Sequence, residues 1–263
     1  MCCLDRLNLR YVVPEFGFVA ERKTRPAGPV APTRSWNGAT HILRLADDPI
    51  ETTWTADGGG RVTARSGARG KLIAVSSGRN RRGFHICDWC GAGWSADGTR
   101  GPATHEHLLK GGECRGTKRV RVLAHPYETD MLELTFDHMF GAAQMPIGAW
   151  RSAAYALLEG ASDILEIARD DVDGTLYRRG GLPGIVLFDV VPGGAGHAMQ
   201  IADRLDEVVT AALKRAGACD CGPETACYGC LRNFRNQRFH ADLSRRGALD
   251  VLEPAASLTR SPG

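Results

Sequence analysis

Apolar and polar positions alternate in short runs through the first half of the chain and recur at three- and four-residue spacing through the second. Runs such as His41-Ile42-Leu43-Arg44-Leu45 and Leu72-Ile73-Ala74-Val75, separated by Gly58-Gly59-Gly60 and by Gly67 to Gly70, predict an antiparallel meander from His41 to Ser77. A further strand pair is expected at Val120–Leu123 and Asp130–Phe136. In the second of these, Met131 and Glu133 share one face, and Leu132, Leu134 and Phe136 the other. Ahead of the meander, Leu9–Ala20 is β-prone but broken by Pro14 and Gly17, which suits a short edge strand or an extended arm. Residues 21 to 40 read as a loop.

After Pro146 the period becomes helical. Ala149–Leu158 and Ser162–Ala168 predict two helical stretches, with Gly160 as punctuation and Ser162 as an N-cap. Gly184–Val191 is a continuous apolar run, as expected of a strand buried on both faces. It passes through Pro192-Gly193-Gly194-Ala195-Gly196-His197 into a helix reaching about Arg215, an α/β unit. A basic helix is expected from about Leu231, another from about Asp242 to Leu252, and a frayed tail from Ser257. The expected fold is α+β: a β-rich region over residues 1–140, followed by an α/β and helical module over residues 141–263.

The cysteines add chemistry to this outline. Cys219, Cys221, Cys227 and Cys230 fall within twelve residues as C-x-C-x5-C-x2-C, with Gly222, Pro223 and Gly229 supplying turns. Four thiolates that can converge on one point suit tetrahedral zinc and leave no open position for a substrate. A disulfide pair, unrelated buried thiols and an iron–sulfur cluster use the same residues. A second candidate is Cys87-Asp88-Trp89-Cys90-Gly91 with Cys114, a zinc knuckle that lacks a fourth ligand; both His105 and His107 lie between the pairs, and spacing alone does not choose. Reduced thiols beside a solvated loop with two surface histidines are the alternative; three cysteines and a nearby histidine, which make a Cys3His shell, favour the metal. Cys2 and Cys3 have no comparable partners.

Charge and composition bound the function loosely. Hydrophobic content of 43% and charged content of 24% are ordinary for a globular protein, and the formal net charge of +3 does not by itself imply nucleic acid. Basic residues nevertheless cluster beside the cysteines. They fall at Arg79/Arg81/Arg82, at Arg115/Lys118/Arg119/Arg121 and at Arg232/Arg235/Arg238 with Arg245/Arg246, where a solvated face or a phosphate-contacting stripe would both fit. No apolar run approaches the ~20 residues of a membrane span, and the start lacks a signal-peptide pattern, so a cytoplasmic protein with reduced cysteines is expected. The abrupt opening suits a chain that supplies the later part of a larger assembly.

The glycine turn Pro192–His197 invites a phosphate reading, with Asp189 and His197 as an acid–base pair. Met199 stands where a dinucleotide fingerprint needs glycine or alanine, and no P-loop lysine follows, so a structural strand-to-helix turn is favoured.

Asp189–His197, the four clustered cysteines, and Asn236-Gln237 with His240, Leu243 and Ala248-Leu249 together resemble the MrfA zinc-binding domain. That domain sits at the C-terminal end of certain bacterial superfamily 2 DNA helicases and occurs in the DrmB-type proteins of the DISARM anti-phage system. Pro14–Val19, Gly83–Gly91 and Glu128–Leu132 are similar to the segment preceding it. The resemblance implies zinc on Cys219, Cys221, Cys227 and Cys230, and on Cys87, Cys90, His105 and Cys114, with His105 preferred to His107.

No P-loop, Asp-Glu-x-His box or arginine-finger motif is present. The expectation is therefore a non-catalytic accessory module of a helicase system, in DNA repair or phage defence. Its motor would come from a separate polypeptide or from a missing N-terminal part, and Arg119, Arg121, Arg232, Arg235 and Arg238 are the candidate DNA contacts. A phosphate-binding enzyme and a protein-interaction scaffold without DNA contact are the rival readings.

Overall fold

The computed structural model describes residues 11–13, 38–78, 81–96, 101–137, 145–179 and 182–261. Cys2, Cys3, Arg79, most of the expected N-terminal arm and loop, the expected boundary near 140 and the end of the tail lie outside them. The chain divides into two compact units, one of Met1–Leu43 with Leu72–Pro126, the other of Arg44–Lys71 with Tyr127–Gly263.

The strands of the expected meander form: β2 (Gly38–Arg44), β3 (Ile50–Thr55) and β4 (Arg61–Ser76) follow in order, after a two-residue β1 (Tyr11–Val12). Of these three only β3 and β4 are joined as a hairpin; β2 pairs with β4 and, among the described residues, not with β3. In the second unit β3 and β4 pair antiparallel around the Asp57–Gly59 turn, with Trp54 opposite Val62. Gly67 and Gly70 are not turns but lie inside β4. At Gly70 a β-carbon would overlap the side chain of Met131 on β9 (Lys118–Asp137), so the glycine there is a close-approach residue.

The expected strand pair at 120–136 is one continuous strand, the 20-residue β9. Its pairing changes along its length: Lys118–Arg121 face β5 (Phe84–Cys87), and Met131–Thr135 face β11 (Leu182–Asp189). Pro126 falls between these two ladders, where its missing N–H costs neither of them a bond.

In the second unit β10 (Val172–Arg179), a strand not expected from the sequence, pairs antiparallel with β11. Residues 183–189 of β11 are buried, as its unbroken apolar run required. Both its neighbours are antiparallel, so this is not a parallel α/β sheet. Strand β12 (Thr259–Arg260) adds to β3.

Helix α1 (Ile147–Leu165) is continuous through Gly160. A β-carbon at Gly160 would lie 2.6 Å from the carbonyl oxygen of Val208 and 2.9 Å from the amide nitrogen of Ala212. The residue that looked like a helix break is where two helices touch backbone to backbone. Ser162 is not an N-cap; its hydroxyl donates to the Ile167 carbonyl at 2.7 Å, beyond the helix end. The helix after the glycine turn is two helices, α2 (His197–Asp203) and α3 (Leu205–Ala218), separated at Arg204.

The core of this unit gathers Leu132, Leu134 and Phe136 from β9, Trp150, Leu157 and Leu158 from α1, and Ile201, Leu205, Val208 and Ala212 from α2 and α3. Two ion pairs cross it at its edge. Glu159 on α1, with 11% of its side chain exposed, lies 3.0 Å from Arg169 and 3.3 Å from Arg215 on α3.

The helix expected from Leu231 does not form. Only Gln237–Phe239 makes a short 3-10 turn, because two asparagines give the backbone another set of partners. The Asn236 side chain is fully buried: its amide donates to the Leu231 carbonyl at 2.8 Å, and its oxygen accepts the Asn233 amide N–H at 2.8 Å. Asn233 returns the bond to the Asn236 amide at 2.9 Å, and His240 Nε2 lies 2.9 Å from the Asn236 oxygen. The last helix, α4 (Arg245–Leu252), starts at Ser244, whose hydroxyl accepts the Gly247 amide at 3.0 Å.

Candidate metal centres and the glycine turn

The four-cysteine segment begins where α3 ends. Cys219 leaves the helix in an extended conformation, Gly222–Thr225 makes a turn, and Cys227–Cys230 makes a second one in which the Cys230, Leu231 and Arg232 amides all point at the Cys227 carbonyl. The sulfurs form a closed ring: Cys219 to Cys221 at 3.6 Å, Cys219 to Cys227 at 3.5 Å, Cys221 to Cys230 at 3.7 Å, and Cys227 to Cys230 at 3.9 Å. A zinc ion with sulfurs at about 2.3 Å sits in a tetrahedron whose edges are about 3.8 Å, so these thiols fit that ion. They are far too distant for disulfides, which need about 2.05 Å. Backbone amides support the sulfurs, Cys227 N–H reaching Cys230 Sγ at 3.2 Å and Gly229 N–H reaching Cys227 Sγ at 3.3 Å.

Thiol acidity differs around the ring. Hydrogen bonds from the Cys221 backbone and from the neighbouring thiols bring Cys219 down to about 7. Burial pushes Cys230 up to about 12.

Arg245 ties the segment to α3. Its guanidinium donates to the Ala216 carbonyl at 2.6 Å and the Gly217 carbonyl at 2.8 Å, both at the helix C-terminus, and to the carbonyl of Cys221. This arginine, counted in a basic cluster from sequence, is thus a helix cap and loop clamp.

The upstream group lies in the other unit. Strands β5 and β6 (Gly93–Ser95) form a hairpin whose turn carries Cys87 and Cys90, with Gly91 at a φ of 77°. Strands β7 (His105–Glu106) and β8 (Glu113–Cys114) pair so that His105 faces Cys114 directly. Cys90 Sγ lies 3.2 Å from His105 Nε2, and Cys87 Sγ lies 3.9 Å from Cys114 Sγ. All four ligand atoms fall within 4.8 Å of one another, and Cys87, Cys90 and Cys114 are buried.

His107 is not part of the converging group; its Nδ1 accepts the Leu109 and Lys110 amides at 3.3 Å. Burial would raise the Cys90 thiol, but hydrogen bonds from the backbone at Leu108 and Ala92 and from the His105 ring outweigh it and bring Cys90 down to about 6. Trp94 packs edge-on against the His105 ring at 4.8 Å. Both Cys/His groups could hold zinc.

Residues 153–231 match the family model described as the MrfA Zn-binding domain. This segment belongs to that family.

The MrfA Zn-binding domain here runs from within α1 to the residue after the last of the four cysteines. The chain is also 30% identical over 230 residues to the Druantia protein DruE of Escherichia coli (strain UMEA 4076-1), a match covering 76% of this chain and 12% of that protein. The chain therefore spans about an eighth of that relative. Among solved structures, the DUF1998 helicase MrfA bound to DNA is 14% identical with a TM-score of 0.47, over 85% of this chain and 26% of that one. The same helicase bound to DNA and AMPPNP gives 14% and 0.36, over 84% of this chain and 23% of that one.

The glycine turn ahead of α2 is filled by the protein's own carboxylates. Asp189, fully buried at the end of β11, accepts the Ala195 amide at 2.5 Å, the His197 amide at 3.1 Å and the Ala198 amide at 2.9 Å. Asp130 accepts the Gly196 amide at 3.0 Å. The N–H groups that a phosphate would need are occupied by two acids, and a bound phosphate would have to sit against them. Asp189 meets His197 through its backbone, which is the bond of a cap and not of an acid–base pair. Asp130, read from sequence only as a strand residue, is the second acid of this turn; nothing in its local pattern marked it.

The candidate DNA contacts differ in how their charges are spent. Arg232 donates to the Thr225 hydroxyl at 3.3 Å and to the His240 carbonyl at 3.1 Å. Arg235 pairs with Asp170 at 3.0 Å, and Arg238 lies over the Phe239 ring at 4.6 Å. Arg119 is exposed and pairs with Asp88 at 2.7 Å, while Arg121 donates to the Val120 carbonyl at 3.1 Å. Among the described residues no helix is long and apolar enough to cross a membrane.

Proposed function

We propose that this chain is a non-catalytic zinc module of a helicase system, one that grips DNA, a helicase polypeptide or both. Cys219, Cys221, Cys227 and Cys230 hold one structural zinc, and Cys87, Cys90, His105 and Cys114 hold a second. The observation that carries the reading is the convergence of two complete four-ligand groups, one of them inside a segment that matches the MrfA Zn-binding domain. Four protein ligands on each ion leave no coordination position for a substrate, so the zinc would organise the fold and do no chemistry. Its role in DNA repair or phage defence rests on the likeness to DruE and on the resemblance to helicase-linked domains. The capped glycine turn counts against a phosphate-binding enzyme, since Asp189 and Asp130 repel the ligand such an enzyme would need.

Elemental analysis of freshly purified protein tests the metal assignment. Two zinc ions per chain are expected, falling to one in Cys227→Ser/Cys230→Ser and to one in Cys87→Ser/Cys90→Ser. Iron in place of zinc, or a zinc count unaffected by either pair, would refute it. Salt-dependent binding of a labelled DNA fragment tests the rest, because phosphate contacts release counterions. Binding that ignores salt, with no helicase retained in a pull-down, would end the module reading.

A further inference from the structure

The upstream zinc group has apolar side chains on its outside that nothing in the fold requires. Trp89, between the two cysteines of the β5–β6 turn, is 76% exposed; Leu108 and Leu109, on the loop joining β7 and β8, are 65% and 79% exposed. Burial of such groups is what stabilises a fold, and tryptophan is rarely left so open. The cysteines on either side of Trp89 are buried, so the turn that fixes the ligands also pushes the indole into water.

Beneath this side chain runs a basic stretch. A β-carbon on Gly116 would lie 2.8 Å from the Cβ of Trp89, which seats the tryptophan over the segment Arg115-Gly116-Thr117-Lys118-Arg119. Thr117 holds the turn from below, its carbonyl accepting the Asp88 amide at 2.8 Å. The side chains of Arg115 and Arg119 are 79% and 55% exposed, in surface ion pairs with Glu113 at 2.5 Å and Asp88 at 2.7 Å, which are weak enough in water for a phosphate to compete with them. Across the described residues 81–96 and 101–121, seven Lys or Arg stand against three Asp or Glu, an excess of four. The whole chain has an excess of only three, so the rest of it carries none. Three thiolates and one zinc ion would subtract a single charge, which leaves the knuckle cationic.

An open aromatic face flanked by exposed cations is the combination that binds unpaired bases, the ring stacking on a base while the cations follow the phosphates. An apolar protein partner would use the tryptophan and leucines but would gain nothing from the surrounding positive charge. We infer that the Trp89 face of the Cys87/Cys90/His105/Cys114 knuckle is a stacking platform for single-stranded nucleic acid. The inference rests on the zinc-module reading and names the strand form and the surface involved. Duplex bases are already stacked on each other and offer the indole only the ends.

Fluorescence anisotropy of a labelled oligothymidylate, with the full zinc-loaded chain, tests it. Trp89→Ala should weaken binding about 5- to 150-fold, the range alanine substitution gives for one stacked base, while Trp89→Phe keeps most of the affinity. A duplex of the same length should bind more weakly than the single strand. Unchanged zinc content in both variants would show that the knuckle is intact.

If the wild type binds the oligonucleotide and Trp89→Ala binds equally well, the platform is refuted and the module reading stands. If the wild type binds no nucleic acid and retains no helicase, both fall. If Trp89→Ala keeps the oligonucleotide but loses a helicase from a pull-down, the face is a protein contact and the inference is overturned.

Discussion

Asp189→Ala should unfold the second unit far more readily than the loss of one side chain suggests. The carboxylate is fully buried and accepts three backbone N–H groups, at Ala195, His197 and Ala198. A net hydrogen bond to a charged group contributes about 1.5–3 kcal/mol, so three of them set an upper bound of several kcal/mol. Ala195 is exposed and His197 half-buried, so water can replace part of what is lost there; Ala198 is buried, and its amide would be left without a partner. The expected cost is about 3–5 kcal/mol, a large share of a domain's stability. In urea, with a slope of about 2 kcal/mol per molar, the midpoint should fall by about 1.5–2.5 M at unchanged zinc content. Circular dichroism of the zinc-loaded protein reads this directly. A shift below about 0.5 M would refute the capping role. A midpoint that millimolar phosphate raises in the wild type would instead restore the turn as an anion site.

Other perturbations probe the packing and the charges of the same unit. Gly160→Ala forces α1 and α3 apart at atoms that cannot rotate away, and should cost at least the 1–3 kcal/mol typical of about one inserted methyl group, read as a lower thermal midpoint. A midpoint equal to wild type would mean that the helices do not touch there. Asp173 has its pKa raised by burial, against the opposing pull of the Gly174 amide and the nearby Arg169, Arg235 and Arg238. A raised carboxylate costs stability once pH climbs above its unfolded value and costs nothing below it. Asp173→Asn should therefore stabilise the protein at neutral pH, with the gain fading as pH falls toward 3.8; a gain that persists in acid would contradict this.

What could be read from the sequence was what depends on period and spacing. The face of Leu132, Leu134 and Phe136, the buried run at 184–189, the four-cysteine group and the three cysteines of the second group follow from alternation and from the spacing of cysteines, whereas the preference for His105 over His107 comes only from the family resemblance. What could not be read depends on what a residue meets across space. Gly160 and Gly70 have the composition of breaks, yet both lie inside regular elements because a neighbouring backbone or side chain fills the room of their missing β-carbon. Leu231–His240 has a helical period, but Asn233 and Asn236 offer the backbone a competing set of bonds that a period cannot register. Strand β10 carries Asp173, Gly174 and two arginines, and its pairing with β11 gives it an order its own residues do not announce. Asp130 and Asp189 are 59 positions apart in sequence and meet only because β9 and β11 are neighbours in register.

The two metal groups also differ in where their arginines go, and the difference bears on which of them meets a partner. At the four-cysteine group the basic residues are turned inward or onto neighbours: Arg245 holds three carbonyls, Arg232 reaches Thr225 and His240, and Arg235 pairs with Asp170. Their charge is largely spent on holding the loop at the end of α3, as befits a zinc whose work is to fasten a core. At the Cys87 knuckle the ligands are held chiefly by backbone bonds, through the β5–β6 and β7–β8 ladders, with Arg119 paired to Asp88 on the surface of the turn. The basic side chains there stay on the surface, Arg115 paired with Glu113 at 2.5 Å and Arg119 with Asp88 at 2.7 Å, beside an indole that the fold does not bury. A surface that is both cationic and aromatic, and that the fold leaves open, is where the proposed contact with single-stranded nucleic acid would be made, while the four-cysteine group fastens the core of its own unit.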